Sequence, residues 1–167
     1  MCQVILNTKT KEIKWKAIAQ NSLNGKTISM IPEYEKLYPV LRKNPFFLYN
    51  YGAELNIAEK YDESTSILLE CQKLFNDYDL QLLLADNYQR KGEFKKAIQI
   101  FEYASNMIPC RFWPLDQIFE IYKETGQNVK ALEVAKEIMR KEIKIPSLNI
   151  SSIKAKAAGY LENNVNE

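Results

Sequence analysis

Apolar and polar positions between Leu82 and Pro109 alternate with the period of a helix, and they do so twice. Leu84, Ala85 and Tyr88 share one stripe, and Phe94, Ala97, Phe101 and Ala104 share another. Within each stripe the apolar residues recur three or four positions apart, as on one face of a 3.6-residue helix. Gly92 lies between the stripes, where the first helix has to end, because glycine accepts a left-handed backbone without a Cβ clash. Pro109 stops the second helix by withholding a backbone donor. The stretch predicts two amphipathic helices joined by a sharp corner, with alanines in one stripe making room for rings in the other.

The pattern recurs along the chain. Registers starting near Glu12, Pro45, Tyr78 and Phe112 lie 33, 33 and 34 residues apart. Ala19, Gly52 and Ala85 occupy one small-residue place, from which Phe119 departs. Ser22, Leu55, Tyr88 and Tyr122 follow three residues later, and Ile18, Tyr51, Leu84 and Ile118 precede it. A self-similar period of about 34 residues is that of a tetratricopeptide repeat (TPR), and the chain resembles that family. The resemblance implies an all-α fold: a right-handed superhelical α-solenoid of about four helix pairs, closed by a C-terminal capping helix.

In chain order, residues 1–11 are expected as an N-terminal arm or a cut end. The solenoid then runs over 12–162, with repeats near 12–44, 45–77, 78–111 and 112–145. In the first repeat, Trp15, Ile18, Ala19 and Ser22 give the first helix its apolar face, and Asn24-Gly25 turns the chain. Its partner starts near Pro32, suited to a first helical position, and Pro39 predicts a kink or an early end. Leu48, Tyr51, Gly52 and Leu55 face inward from the next helix. Tyr61, Ser64, Ile67, Leu68, Cys71 and Phe75 face inward from its mate, and Asn76-Asp77 breaks it. Pro114 opens the helix carrying Leu115, Ile118, Ile121 and Tyr122, and Gly126 ends it. Ala131, Leu132, Val134, Ala135 and Ile138 line the helix that follows. Ser147 caps a last helix over 147–162, with Ile150, Ile153, Ala157, Tyr160 and Leu161 on one side, and 163–167 should fray.

Composition narrows the function. With 46% hydrophobic and 26% charged residues, the 167-residue chain has a globular balance. A net charge of +2, with both signs interspersed, builds no basic stripe for nucleic acid. The sequence holds no histidine, which removes the commonest general base and metal ligand. Cys2, Cys71 and Cys110 form no metal-ligand spacing, and Cys71 falls on a buried stripe as a small hydrophobe. No apolar run approaches the ~20 residues that span a bilayer, and Val4-Ile5-Leu6 is too short for a signal peptide. The expectation is a soluble segment with no direct membrane insertion, no cofactor, no metal and no catalytic residues.

TPR solenoids present the first helix of each pair along a concave groove. The resemblance places Tyr49, Asn56, Asp86, Gln89, Arg90, Trp113, Asp116 and Glu120 on or near that face, as candidate contacts for a protein or peptide ligand. Tyr, Trp and Arg are enriched at binding hot spots, which favours the groove; the alternative is that Tyr49 and Trp113 only shield helix corners. The basic set that clamps a partner's terminal carboxylates in some TPR domains is missing, since Leu82 and Asp86 stand in its places. Asp116, Glu120 and Glu124 recur every four residues, which suits either attraction of a basic peptide or a solvated helix face.

A closer resemblance is carried by Glu33-Tyr34-Glu35-Lys36-Leu37-Tyr38-Pro39-Val40-Leu41 and by Phe47-Leu48-Tyr49-Asn50-Tyr51-Gly52-Ala53-Glu54-Leu55-Asn56. Asn76-Asp77-Tyr78-Asp79-Leu80, Asp86-Asn87-Tyr88-Gln89-Arg90, Met107-Ile108-Pro109 with Arg111-Phe112, and Lys144-Ile145-Pro146-Ser147 belong to the same pattern. Together they resemble the C-terminal TPR region of O-antigen ligase/polymerase family proteins of Bacteroidetes-type bacteria. That implies a non-enzymatic scaffold, tied to the inner membrane through a longer protein; without that link, a cytoplasmic place is expected. A structural spacer or homodimerisation module is the alternative, and a small-molecule or catalytic domain has the least support.

Overall fold

The computed structural model describes residues 2–23 and 27–164, and side chains over 9–21 and 30–164. Among the described residues every regular element is an α-helix. The chain forms two compact units, Met1–Lys91 and Gly92–Glu167, and the division falls at the corner of the third repeat. The first holds α1 (Cys2–Leu23), α2 (Thr27–Leu41), α3 (Pro45–Ile57), α4 (Tyr61–Gln72) and α5 (Tyr78–Arg90). The second holds α6 (Phe94–Met107), α7 (Trp113–Glu124), α8 (Asn128–Arg140) and α9 (Leu148–Asn164).

In the first unit each helix packs on the next, and α3 also touches α1 and α5. The core is aromatic. Tyr34 stacks on Tyr51 with centroids 5.4 Å apart and planes 2° from parallel, and Phe47 meets Tyr34 at 5.6 Å. Trp15 reaches Phe47 edge-on at 6.1 Å, so α1, α2 and α3 share one ring cluster. Such pairs add about 0.5–1.5 kcal/mol each beyond burial. Asn44 begins α3, its side-chain oxygen accepting from the N–H groups of Phe46 and Phe47 with Pro45 in the first turn. Asp77 does the same for Leu80 at the start of α5. Gly52 is required by contact: a Cβ there would lie 2.5 Å from Cδ2 of Leu68, itself fully buried on α4.

In the second unit α6, α7, α8 and α9 pack in succession. The core here is aliphatic and alanine-rich: Ala97, Phe101, Ala104, Leu115, Ile118, Phe119, Ile121, Ala131, Ala135, Ile138, Ile153 and Ala157 are buried. Gly126, at φ +68°, turns the corner between α7 and α8, and its N–H bonds the carbonyl of Lys123. Ser147 accepts from the N–H of Ile150 at the start of α9.

Several boundaries differ from the sequence reading. Residues 2–11, expected as an arm, are helical in α1. No glycine or proline interrupts 2–23, so a helix once nucleated continues through it. The Asn24-Gly25 turn lies outside the described residues. The second helix of that repeat begins at Thr27 and not near Pro32, because buried Ile31 extends the apolar stripe one turn upstream. Pro32 and Pro39 both sit inside α2. Phe75, assigned to an inner stripe, is 46% exposed beyond the end of α4 and faces Phe46 at 6.1 Å. Asn163, expected to fray, is helical in α9, and 165–167 lie outside the described residues.

Candidate functional site

The eight residues singled out from the repeat register fall on α3, α5 and α7, five in the first unit and three in the second. In the first unit Tyr49 is half-buried in a pocket of about 160 Å³ with Pro45, Phe46, Cys71, Phe75, Asp77, Asp79 and Leu80. Burial, reinforced by Asp79 and Asp77, raises its hydroxyl pKa above the ordinary tyrosine value. Cys71 donates its thiol to the Pro45 carbonyl at 3.2 Å, and burial, with Asp77 adding to it, pushes the thiol up to about 11. Such a thiol is protonated at neutral pH and is no nucleophile.

Asn56, Asp86 and Arg90 are brought together on α3 and α5. Asn56 Nδ2 donates to Asp86 Oδ2 at 2.7 Å and to Asn87 Oδ1 at 2.9 Å. Asn87 Nδ2 donates to Ser64 Oγ at 2.8 Å, and that hydroxyl donates to the Gly52 carbonyl at 2.7 Å. A polar chain thus passes from the exposed Arg90, 3.4 Å from Asp86, to the backbone of α3. Buried amides need such partners, because an orphaned one costs about 1–3 kcal/mol. Gln89 differs: its Oε1 is buried and has no donor among the described residues.

The sequence reading set Ser64 on an inward stripe but gave it no partner, and it did not single out Asn87; both are fully buried. A signal was present in Ser64, which stands at the register place held by Ala97 and Ala131 in later repeats. A polar group on an apolar stripe requires a partner. It also missed the clasp on Glu70, which accepts a short hydrogen bond from the Tyr38 hydroxyl and pairs with Arg42 at 2.9 Å. Acceptance by Glu70, with burial, raises the Tyr38 pKa.

In the second unit the chain itself occupies the two acids. Lys156 on α9 lies 2.5 Å from Asp116 and 2.7 Å from Glu120, and Lys123 lies 3.1 Å from Glu120. Burial alone would raise the Glu120 carboxyl, but the hydrogen bonds from Lys156 and Lys123 outweigh it and hold it below the usual carboxylate value. For Lys156, burial alone would lower the pKa, and bonding to Asp116 and Glu120 reverses that. Tyr160 meets Phe119 edge-on at 5.2 Å, completing the seat of α9 on α7. Trp113 stands apart, 43% exposed at the start of α7. Among the described residues no three potential ligands gather as a metal centre requires, and no helix is long and apolar enough to cross a membrane.

No protein-family model and no curated protein matches the chain. Solved structures do. The chain resembles the MamA protein at TM-score 0.71 and 14% identity, covering 91% of this chain and 88% of that one. A MamA structure from Desulfovibrio magneticus RS-1 gives 0.71 and 14%, over 92% of each chain. YrrB, described as a TPR protein with an unusual peptide-binding site, gives 0.64 and 14%, over 88% of this chain and 75% of that one. At such identities the likeness establishes the fold: this is an all-helical chain of the TPR solenoid class.

Proposed function

We propose that the protein is a non-enzymatic scaffold that binds a protein or peptide on the first-helix faces of its repeats. The TPR fold carries this reading, since one structural neighbour of that fold is described by its peptide-binding site. In the first unit the contact residues are Tyr49, Asn56, Asp86, Gln89 and Arg90, and in the second Trp113, Asp116 and Glu120. Arg90 and Trp113 are the exposed anchors. Asp86, Asp116 and Glu120 act by holding these faces in shape, because their charges already meet Arg90, Lys156 and Lys123.

The absence of enzymatic activity is supported by the lack of histidine and by the protonated Cys71 thiol. A role as the soluble part of an envelope polysaccharide ligase or polymerase rests on the sequence resemblance alone. The test is selection of peptides from a random library on the intact chain, followed by calorimetry. Arg90→Ala and Trp113→Ala should each weaken a selected peptide by about 2 kcal/mol or more with melting unchanged, and Lys95→Ala should not. Equal affinity for all three variants would remove the groove reading and leave the spacer or homodimer alternative.

A further inference from the structure

A cavity on the second unit is lined by none of the first-helix contact residues named above. It holds about 520 Å³ between α6 and α8, within the ~300–1,000 Å³ typical of ligand clefts. Leu115, Ile118 and Tyr122, three and four residues apart on α7, form its floor, and Val134 adds an apolar wall. Glu102 on α6 and Glu133 and Glu137 on α8 supply three carboxylates against one ammonium, Lys130.

No described residue makes an ion pair or a hydrogen bond with any of the three carboxylates, unlike Asp116 and Glu120 elsewhere in the same unit. Glu133 and Glu137, one turn apart, repel each other, and neither is ion-paired among the described residues. Lys130 is held at its post by Gln127 Oε1, 2.8 Å away, and lies 5.3 Å from the centre of the Tyr122 ring. The crevice therefore already accommodates one cation on an aromatic face and leaves two negative charges unmatched. Burial, with Glu102 and Glu133, raises the Tyr122 hydroxyl pKa, so the ring stays neutral beside a bound cation.

We propose that this crevice is a second docking site, for a partner segment that sets lysine or arginine beside branched aliphatic residues. The aliphatic side chain covers Val134 and the α7 floor while the cation meets Glu102, Glu133 and Glu137. Charge alone would make a solvated helix face, and the apolar floor is what demands the second component.

The test is fluorescence anisotropy with the full chain and a labelled peptide alternating lysine with isoleucine. Two control peptides replace lysine by glutamate or isoleucine by serine. Saturable binding is expected, at least tenfold weaker for either control and for the triple variant Glu102→Gln, Glu133→Gln, Glu137→Gln. Glu124→Gln and Arg90→Ala should leave it unchanged, which separates this site from the first-helix faces. Circular dichroism melting confirms that the triple variant is folded. Absence of saturable binding, equal binding by the triple variant, or equal binding of the serine peptide overturns the proposal. So does sedimentation showing self-association lost in the triple variant, which would make the occupant a second copy.

Discussion

The two units solve one packing problem in opposite ways. In the first, Gly52 on α3 takes no side-chain volume and Leu68 on α4 fills the space; in the second, Phe119 holds the same register place on α7 and Ala135 takes that of Leu68. All of these are buried to the same degree, so the repeat conserves the filled volume and not the residue that fills it. Polar groups diverge in parallel. The first unit threads uncharged amides from Asn56 through Asn87 to Ser64, whereas the second neutralises Asp116 and Glu120 with Lys156 from its last helix. In both units the residue on a facing helix compensates what the local position lacks.

The sharpest way to break this comparison is Phe119→Ala. It leaves a void under Tyr160 and should cost about 3–5 kcal/mol in urea unfolding. A loss under about 1 kcal/mol would mean that the ring fills no essential space. The reverse change, Gly52→Ala, should cost about 1–3 kcal/mol, because the fully buried Leu68 has little room to retreat. Combined with Leu68→Ala, it should cost less than the two single changes together; strict additivity would deny the contact.

Next comes Lys156→Met, expected to cost about 1–2 kcal/mol, between a surface pair and a buried one since the ammonium is partly exposed. Its pH signature is two-sided. Glu120 has its folded pKa lowered from the ordinary 4.5, so its contribution is present above that value and lost as pH falls through the lower one. Lys156 has its folded pKa raised from 10.5, so its contribution is present below that value and lost as pH rises through the higher one. The variant should flatten both flanks of a melting-versus-pH curve, and unchanged flanks would place the pair outside the stability of the unit.

The smallest effect sharpens the corners. Gly126 (φ +68°) follows α7, whereas Glu59 adopts φ +60° in the matching place after α3. Glu59→Gly should raise stability by about 0.5–1 kcal/mol by relieving a left-handed side-chain-bearing residue, and Gly126→Ala should lower it by about 1 kcal/mol. Thermal melts of the two variants should move in opposite directions.

What sequence alone determined is what depends on local period. Gly92, Gly126 and Pro109 punctuate helices whose stripes, Leu84 with Ala85 or Phe101 with Ala104, are buried as the spacing requires. A helix face is a property of residues three and four apart, so one chain read in order suffices to find it. α1 starts at Cys2 and α2 at Thr27, both upstream of the sequence expectation, and at the second the burial of Ile31 outweighs the signal of Pro32. Only the tertiary structure decided which charges are free. Asp116 and Lys156, 40 residues apart in the chain, meet at 2.5 Å, whereas Glu102, Glu133 and Glu137 form no ion pair among the described residues. Whether a carboxylate is spent inside the fold or left for a partner depends on a facing helix. Side-chain spacing along one helix carries no information about which residues the helix packed against it presents.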